Sequence, residues 1–153
     1  MKGKVGAHLM IWTEKVEHYV DYFNKAKEIG FEGVEIPLLN VQAFRPDITK
    51  GIRKELDKLG LQATCGTGLG RERSLISSDK ETREKGKKYL KRCIDICLDL
   101  DSHVLAGVLY GAFGVSVGRS RTEKEWARAV ESLQEVAKYA AQREVVLCLE
   151  AIN

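Results

Sequence analysis

The sequence predicts a parallel α/β fold with the element order βαβαβαβαβ. Five short apolar runs rich in β-branched residues alternate with four long helical patterns. The runs start at residues 5, 33, 61, 103 and 145, so their spacings are 28, 28, 42 and 42. That is the rhythm of a repeated βα unit whose later copies carry longer loops. Such alternation implies parallel strands joined by right-handed crossovers. At 153 residues the chain has the length of one domain. Two architectures compete, an open doubly wound sheet and part of a (β/α)8 barrel. A full barrel takes about 250 residues, and five strands with four helices make roughly half of one.

Taken in order, the strand candidates are Val5–Met10, Gly33–Leu38, Leu61–Gly66, His103–Leu109 and Val145–Glu150. Between the first two, Val16, Tyr19, Val20, Phe23 and Ala26 form a helical stripe closed by Gly30. Ile48, Ile52, Leu56 and Leu59 form the next, opened by Pro46-Asp47 and closed by Gly60. Both glycines stand where a left-handed residue ends a helix. The third stripe is Tyr89, Leu90, Cys93, Ile94, Cys97 and Leu98, and the fourth is Trp126, Val130, Leu133, Val136 and Ala137. "SDKE" (Ser78–Glu81) and "TEKE" (Thr122–Glu125) both fit a capping box ahead of these helices.

Composition narrows the function classes. No apolar run approaches the ~18 residues of a membrane span, and the start lacks the apolar core and cleavage site of a secretory signal. Cys65, Cys93, Cys97 and Cys148 form no CxxC pair, and Cys93 and Cys97 read as small residues on one buried helical face. A reduced, cytoplasmic protein is expected. The net charge of +3 is too small to imply a nucleic-acid partner. The basic run 79–92 lacks interleaved aromatics and reads as a solvated helix face.

In either architecture ligands bind at the carboxyl ends of the parallel strands. Those ends carry His8 and Trp12, then Glu35, then Cys65, Thr67 and Gly68. The fourth carries Gly107, Tyr110 and Phe113, and the fifth Glu150 and Asn153. Carboxylates, an imidazole, aromatics and glycines suit a small polyhydroxylated ligand with a hard cation better than a nucleotide. Glu150 stands out because it follows "VVLCL", and a lone carboxylate is costly to bury unless neutral, paired or metal-bound. "CGTGLGRER" (Cys65 to Arg73) fails as a dinucleotide fingerprint, since Arg71 stands where the third glycine is required. It reads as a flexible loop over the pocket mouth.

Seven segments in register resemble the ketose 3-epimerases of the D-tagatose, D-allulose (psicose) and L-ribulose group. They are "KVGAHLMIWTE", "GFEGVEIPLL", "CGTGLG", "SSDKETREKG", "LAGVLYGAFG", "GRSRTEKEWARAVESLQEVAKYA" and "LCLEAIN". The resemblance implies a xylose-isomerase-like barrel, of which residues 1–153 are expected to be one partial domain, the amino-terminal half of a (β/α)8 TIM barrel. It also implies a ketose sugar as substrate and a divalent ion, Mn2+, Mg2+ or Co2+, held by two glutamates, an aspartate and a histidine. The ion polarises the carbonyl, and the two glutamates exchange the C3 proton through an enediolate. By position, Glu150 matches the first metal-binding, acid/base glutamate. His8 matches a residue that touches the sugar, and Gly107 and Phe113 match substrate-pocket positions. Trp12, Glu35 and Cys65 are expected on the pocket walls.

In the family the last motif runs on past Asn153 with Arg, an aromatic and another glutamate, and the other metal ligands lie in the carboxyl-terminal half. The open strand edges of a half-barrel therefore imply a homo-oligomer, or pairing with a complementary carboxyl-terminal half. The alternatives are a non-catalytic half-barrel assembly or binding module, or another superfamily chemistry. Hydroxypyruvate isomerase, inosose dehydratase and the DNA-repair endonuclease belong to that last group. The basic helix would lie outside the barrel, away from its mouth, which argues against the endonuclease.

Overall fold

A computed structural model describes residues 3–116 and 118–152 of the chain. Five strands, β1 (Gly6–His8), β2 (Gly33–Pro37), β3 (Gln62–Leu69), β4 (Val104–Ala112) and β5 (Val146–Leu149), form one parallel sheet. They lie in the order β1-β2-β3-β4-β5. This order decides between the two architectures. A doubly wound sheet reverses direction at a switch point, whereas here each strand sits beside the one before it, as in a barrel wall. The helices α1 (Tyr19–Ile29), α2 (Pro46–Leu59), α3 (Lys80–Asp99) and α4 (Glu123–Ala141) also pack in sequence order. The fold is half of a TIM-barrel-like α/β structure.

Local chemistry explains the helix ends. Gly30 and Gly60 close α1 and α2 with φ of 100° and 62°, which only glycine adopts cheaply. Pro46 opens α2 at a position whose N–H has no partner in any helix. Thr122 and Glu125 form the expected capping box on α4. Ahead of α3 the cap is Asp79, whose carboxylate accepts from the N–H groups of Glu81 and Thr82. The expected Ser78 cap is thus displaced by one residue, because an ionised carboxylate is the stronger acceptor for helix-end amides.

The Arg119 guanidinium, paired with both oxygens of Glu125, and the Thr122 N–H hold the Glu125 carboxyl at about 2, well below its ordinary 4.5. A depressed carboxylate stabilises the fold above its unfolded pKa and loses that contribution as pH falls through the folded one. The first turn of α4 is therefore expected to fray between pH 4.5 and about 2. The amide chemical shifts of residues 122–126, followed over that range, test this. Shifts that stay constant down to pH 2 would sink it.

The core lies between sheet and helices. Tyr19, Phe23, Phe44, Leu90 and Ile94 are fully covered there. At its upper edge the Leu38 carbonyl accepts from Tyr89 Oη at 2.6 Å and Thr67 Oγ1 at 3.2 Å, and Pro37 O accepts from Tyr19 Oη at 3.0 Å. Burial pushes the Tyr89 hydroxyl up to about 12, so it stays protonated and can keep donating.

Two helical stripes differ from expectation. Leu98 is exposed on α3. On α4, Trp126 is 71% exposed and Val130 39%, Ala137 faces out as well, while Ala129, Ser132, Val136 and Ala140 face the sheet. The inward face is built from small residues, which lets α4 approach the sheet closely. Trp126 and Val130 of the bulky stripe are left exposed.

Candidate active site at the carboxyl ends of the strands

The carboxyl ends of all five strands open into one cleft of about 670 Å3. That is the size of a small-ligand pocket. His8, Glu35, Gly107, Phe113 and Glu150 line it together. Cys65 and Trp12 stand outside, which corrects the expectation that they form its walls. Residues alternate along a strand. Cys65, fully buried, faces the helix layer with Cys93 and Cys97, whereas Gly66 and Gly68 face the cleft. Trp12 stacks on Tyr22 of α1 at 5.6 Å, with the Lys25 ammonium 5.1 Å from its ring centre. Burial pushes the Cys93 thiol up to about 12, and Cys97 is raised too, chiefly by its hydrogen bond with Cys65. Cys93 and Cys97 are therefore inert thiols at neutral pH.

The first two strands supply a polar pair. His8 Nδ1 accepts the Met10 N–H at 3.1 Å. The ring proton therefore sits on Nε2, which faces Glu35 Oε1 at 3.1 Å. Strand register explains the meeting, since His8 and Glu35 are Cα partners across β1 and β2. The Glu35 carboxylate also lies over Gly66, where an added Cβ would be 2.7 Å from Oε1. The sequence stretch Cys65 to Leu69 is strand rather than mobile loop, so "CGTGLG" paves the cleft floor instead of covering its mouth. Gly66, Gly68 and Gly70 all line it, and Phe113 packs beside Gly68.

At the opposite side, β4 is irregular. Its register on β3 jumps between Gly68/Val108 and Leu69/Ala112. Gly107 has φ of 123° and its Cα lies against the Thr67 carbonyl. The Gly107 carbonyl in turn accepts the Glu150 N–H at 2.9 Å, which fixes where the fifth strand delivers its acid. Glu150 itself is exposed, as are Val146 and Leu149. The burial cost anticipated for this carboxylate does not arise in this structure, because β5 is an edge strand and the side chain is exposed. Asn153 lies outside the described residues.

The donor set was tested against the divalent ion expected from the resemblance. Strands β2 and β5 stand three places apart in the sheet. Among the described residues no three His, Cys, Asp or Glu side chains cluster closely enough to hold a metal. The described residues therefore do not fit a complete divalent site. No described helix is long and apolar enough to cross a membrane.

A parallel sheet in barrel order, with a cleft at the carboxyl ends of its strands, is the arrangement of a TIM-type barrel. The profile of the xylose isomerase-like TIM barrel family matches residues 23–153, and the chain belongs to that family. It is 28% identical to a D-psicose 3-epimerase of Ruminiclostridium cellulolyticum, over 98% of this chain and 52% of that protein. It is 30% identical to an L-ribulose 3-epimerase of Methylomonas sp., over 97% of this chain and 51% of that one. Its fold superposes on D-psicose 3-epimerase with D-tagatose, from Clostridium cellulolyticum H10, with a TM-score of 0.90 and 27% identity. That match covers 99% of this chain and 53% of the other. The chain spans about half the length of the curated relatives it matches.

Three features of the site escape the sequence. Gly66 as the seat of Glu35 is visible only once strand sidedness is known. The positive φ of Gly107 has no local signal. The irregularity of β4 leaves only a trace, in the small residues of "AGVLYGA".

Proposed function

We propose that the cleft is the amino-terminal part of a ketose 3-epimerase site, with Glu150 as one of the two groups that exchange the C3 proton from opposite faces. The observation that carries this is the position of Glu150. It shares one cleft with the His8–Glu35 pair, at the carboxyl end of a sheet whose relatives are named as ketose 3-epimerases. A carboxylate held by the backbone at a strand end, free of any other partner among the described residues, can accept a proton and give it back. His8 Nε2 and Glu35 offer a donor and an acceptor to sugar hydroxyls, the glycine floor admits the ring or chain, and Phe113 at the rim shields one face. Such a ketose-binding surface fits a soluble, cytoplasmic sugar enzyme.

On this reading the remaining acid/base and ion-binding groups come from outside these residues, from a carboxyl-terminal half-barrel or from a second copy. The support is the open geometry. Strands β1 and β5 are the two edges of the sheet, and Val5, Phe113, Val146 and Leu149 are each more than half exposed. Multi-angle light scattering is expected to give at least a dimer for the purified chain. A monodisperse monomer with no bound partner would overturn this part. Mn2+ binding by an isolated protomer is expected to be weaker than about 1 mM, as suits one carboxylate.

The reaction itself is tested by incubating the chain with D-fructose or D-tagatose in D2O with saturating Mn2+ and following deuterium at C3. Incorporation, with formation of the C3 epimer, is the expected result in the assembled state. Complete absence of exchange in an oligomer of confirmed mass would favour the second reading, a half-barrel that serves as an assembly module. The exposed stripe of Trp126 and Val130 on α4 is the observation behind that reading.

A further inference from the structure

We propose that a second pocket, built by the loops after β3 and β4 and the first turns of α4, binds the phosphoryl group of a small anionic ligand. The pocket holds about 440 Å3. Its wall carries five cations, Arg71, Arg119, Arg121, Lys124 and Arg128, against one carboxylate, Glu125. The whole chain has a net charge of only +3, so this wall concentrates more positive charge than the molecule carries overall.

The one carboxylate is already engaged. Glu125 takes two bonds from Arg119, at 2.8 and 3.1 Å, and one from the Thr122 N–H at 2.8 Å. Among the described residues, Arg71, Arg121, Lys124 and Arg128 have no carboxylate within ion-pair distance. Arg128 on α4 donates instead to the Ile76 carbonyl at 3.3 Å, which ties the helix to the loop after β3. Cations crowded onto a concave wall repel one another until an anion enters, and a cleft of one sign concentrates such anions. A phosphoryl dianion uses this wall best, because guanidinium groups grip it in two-point fashion.

The lining also says what the ligand lacks. Among the described residues no aromatic side chain lines the pocket; its apolar members are Ile76, Ala112 and Val115. A nucleobase would find nothing to stack on. The amino end of α4 offers the ligand little, because Thr122 and Glu125 already cap it. Position suggests two sources for the phosphoryl group. Arg71 follows Gly70, and Ala112 precedes Phe113, both of which line the sugar cleft. The ligand is therefore either free phosphate or a phosphorylated sugar whose carbon chain reaches toward that cleft.

The test is calorimetric titration of the purified chain, at fixed ionic strength set with chloride, with inorganic phosphate, D-fructose 6-phosphate and D-fructose. Saturable binding of both phosphates is expected. The double variant Arg121→Gln/Lys124→Gln should weaken it at least about ten-fold, the loss of one or two charge-assisted bonds. The control Lys54→Gln, on the exposed face of α2, should leave it unchanged. Tighter binding of the sugar phosphate, reduced by Glu150→Gln while inorganic phosphate is unaffected, assigns the ligand to a phosphorylated sugar. Equal affinities that ignore Glu150→Gln assign it to free phosphate. Failure of phosphate to saturate, or an affinity the double variant does not change, overturns the proposal. Neither readout depends on epimerisation, so this can fail while the reading of the sugar cleft stands.

Discussion

Replacing Glu150 by glutamine is expected to lower deuterium exchange at C3 of D-fructose about 10²- to 10⁴-fold, the usual worth of a positioned acid/base group. The change is nearly isosteric. The amide keeps the backbone bond from Glu150 N–H to the Gly107 carbonyl, because that bond belongs to the main chain. It removes only the ability to take up a proton. Since the side chain is exposed at the end of an edge strand, stability should stay within about 0.5 kcal/mol of the parent, as for other surface substitutions away from buried networks. A fall in exchange with an unchanged melting curve is thus the signature of a chemical role. Exchange that survives in Glu150→Gln would mean another base moves the proton. A parallel loss of stability would mean that the carboxylate is structural.

Gly107→Ala is expected to destabilise the fold by about 4 kcal/mol, from two separate costs. An alanine at φ of 123° leaves the backbone region open to L-residues, worth about 1–3 kcal/mol. Its Cβ also overlaps the Thr67 carbonyl of the neighbouring strand, and relieving such overpacking costs a further ~1–3 kcal/mol. Against a total stability of about 5–15 kcal/mol for a domain, that is a large share. The strain would act where β4 meets both neighbours, so the positions of Thr67 and Glu150 shift with it. Urea denaturation measures the loss. The control is Gly51→Ala in the middle of α2, where an added Cβ meets nothing within 4 Å. There the helix should gain up to about 1 kcal/mol. Similar midpoints for the two variants would refute the special role of Gly107.

Much of the scaffold was legible because it rests on local periodicity. Gly30, Gly60, Pro46 and the Thr122–Glu125 box mark helix ends through chemistry carried within four residues, and the structure has each of them in place. The alternation of runs predicted a parallel sheet, and the spatial order of its strands then excluded the doubly wound alternative. What failed was phase. Trp126 and Val130 sit at good helical spacing, yet the sheet selected the small Ala129, Ser132 and Ala140 instead. Bulk marks a buried stripe only when no neighbouring layer demands close approach. Cys65 failed the same way, because β3 alternates and hydrophobicity alone did not tell which side met the helices. The cleft was legible as a set of strand ends, with His8, Glu35, Gly107, Phe113 and Glu150 brought together. The basic pocket was invisible, since its cations come from the loop after β3, the loop after β4 and the start of α4, and acquire meaning only in three dimensions.

The placement of Glu150 on an edge strand has a thermodynamic corollary. Strand β5 is at once a wall of the cleft and an open margin of the sheet. Whatever pairs with that margin also restricts the backbone that aims the carboxylate, so edge pairing and ligand capture draw on the same segment. Linked equilibria are reciprocal: a partner that tightens the cleft must be held more tightly, by the same factor, once the cleft is filled. Dilution would then act as an inhibitor, and substrate would act as glue.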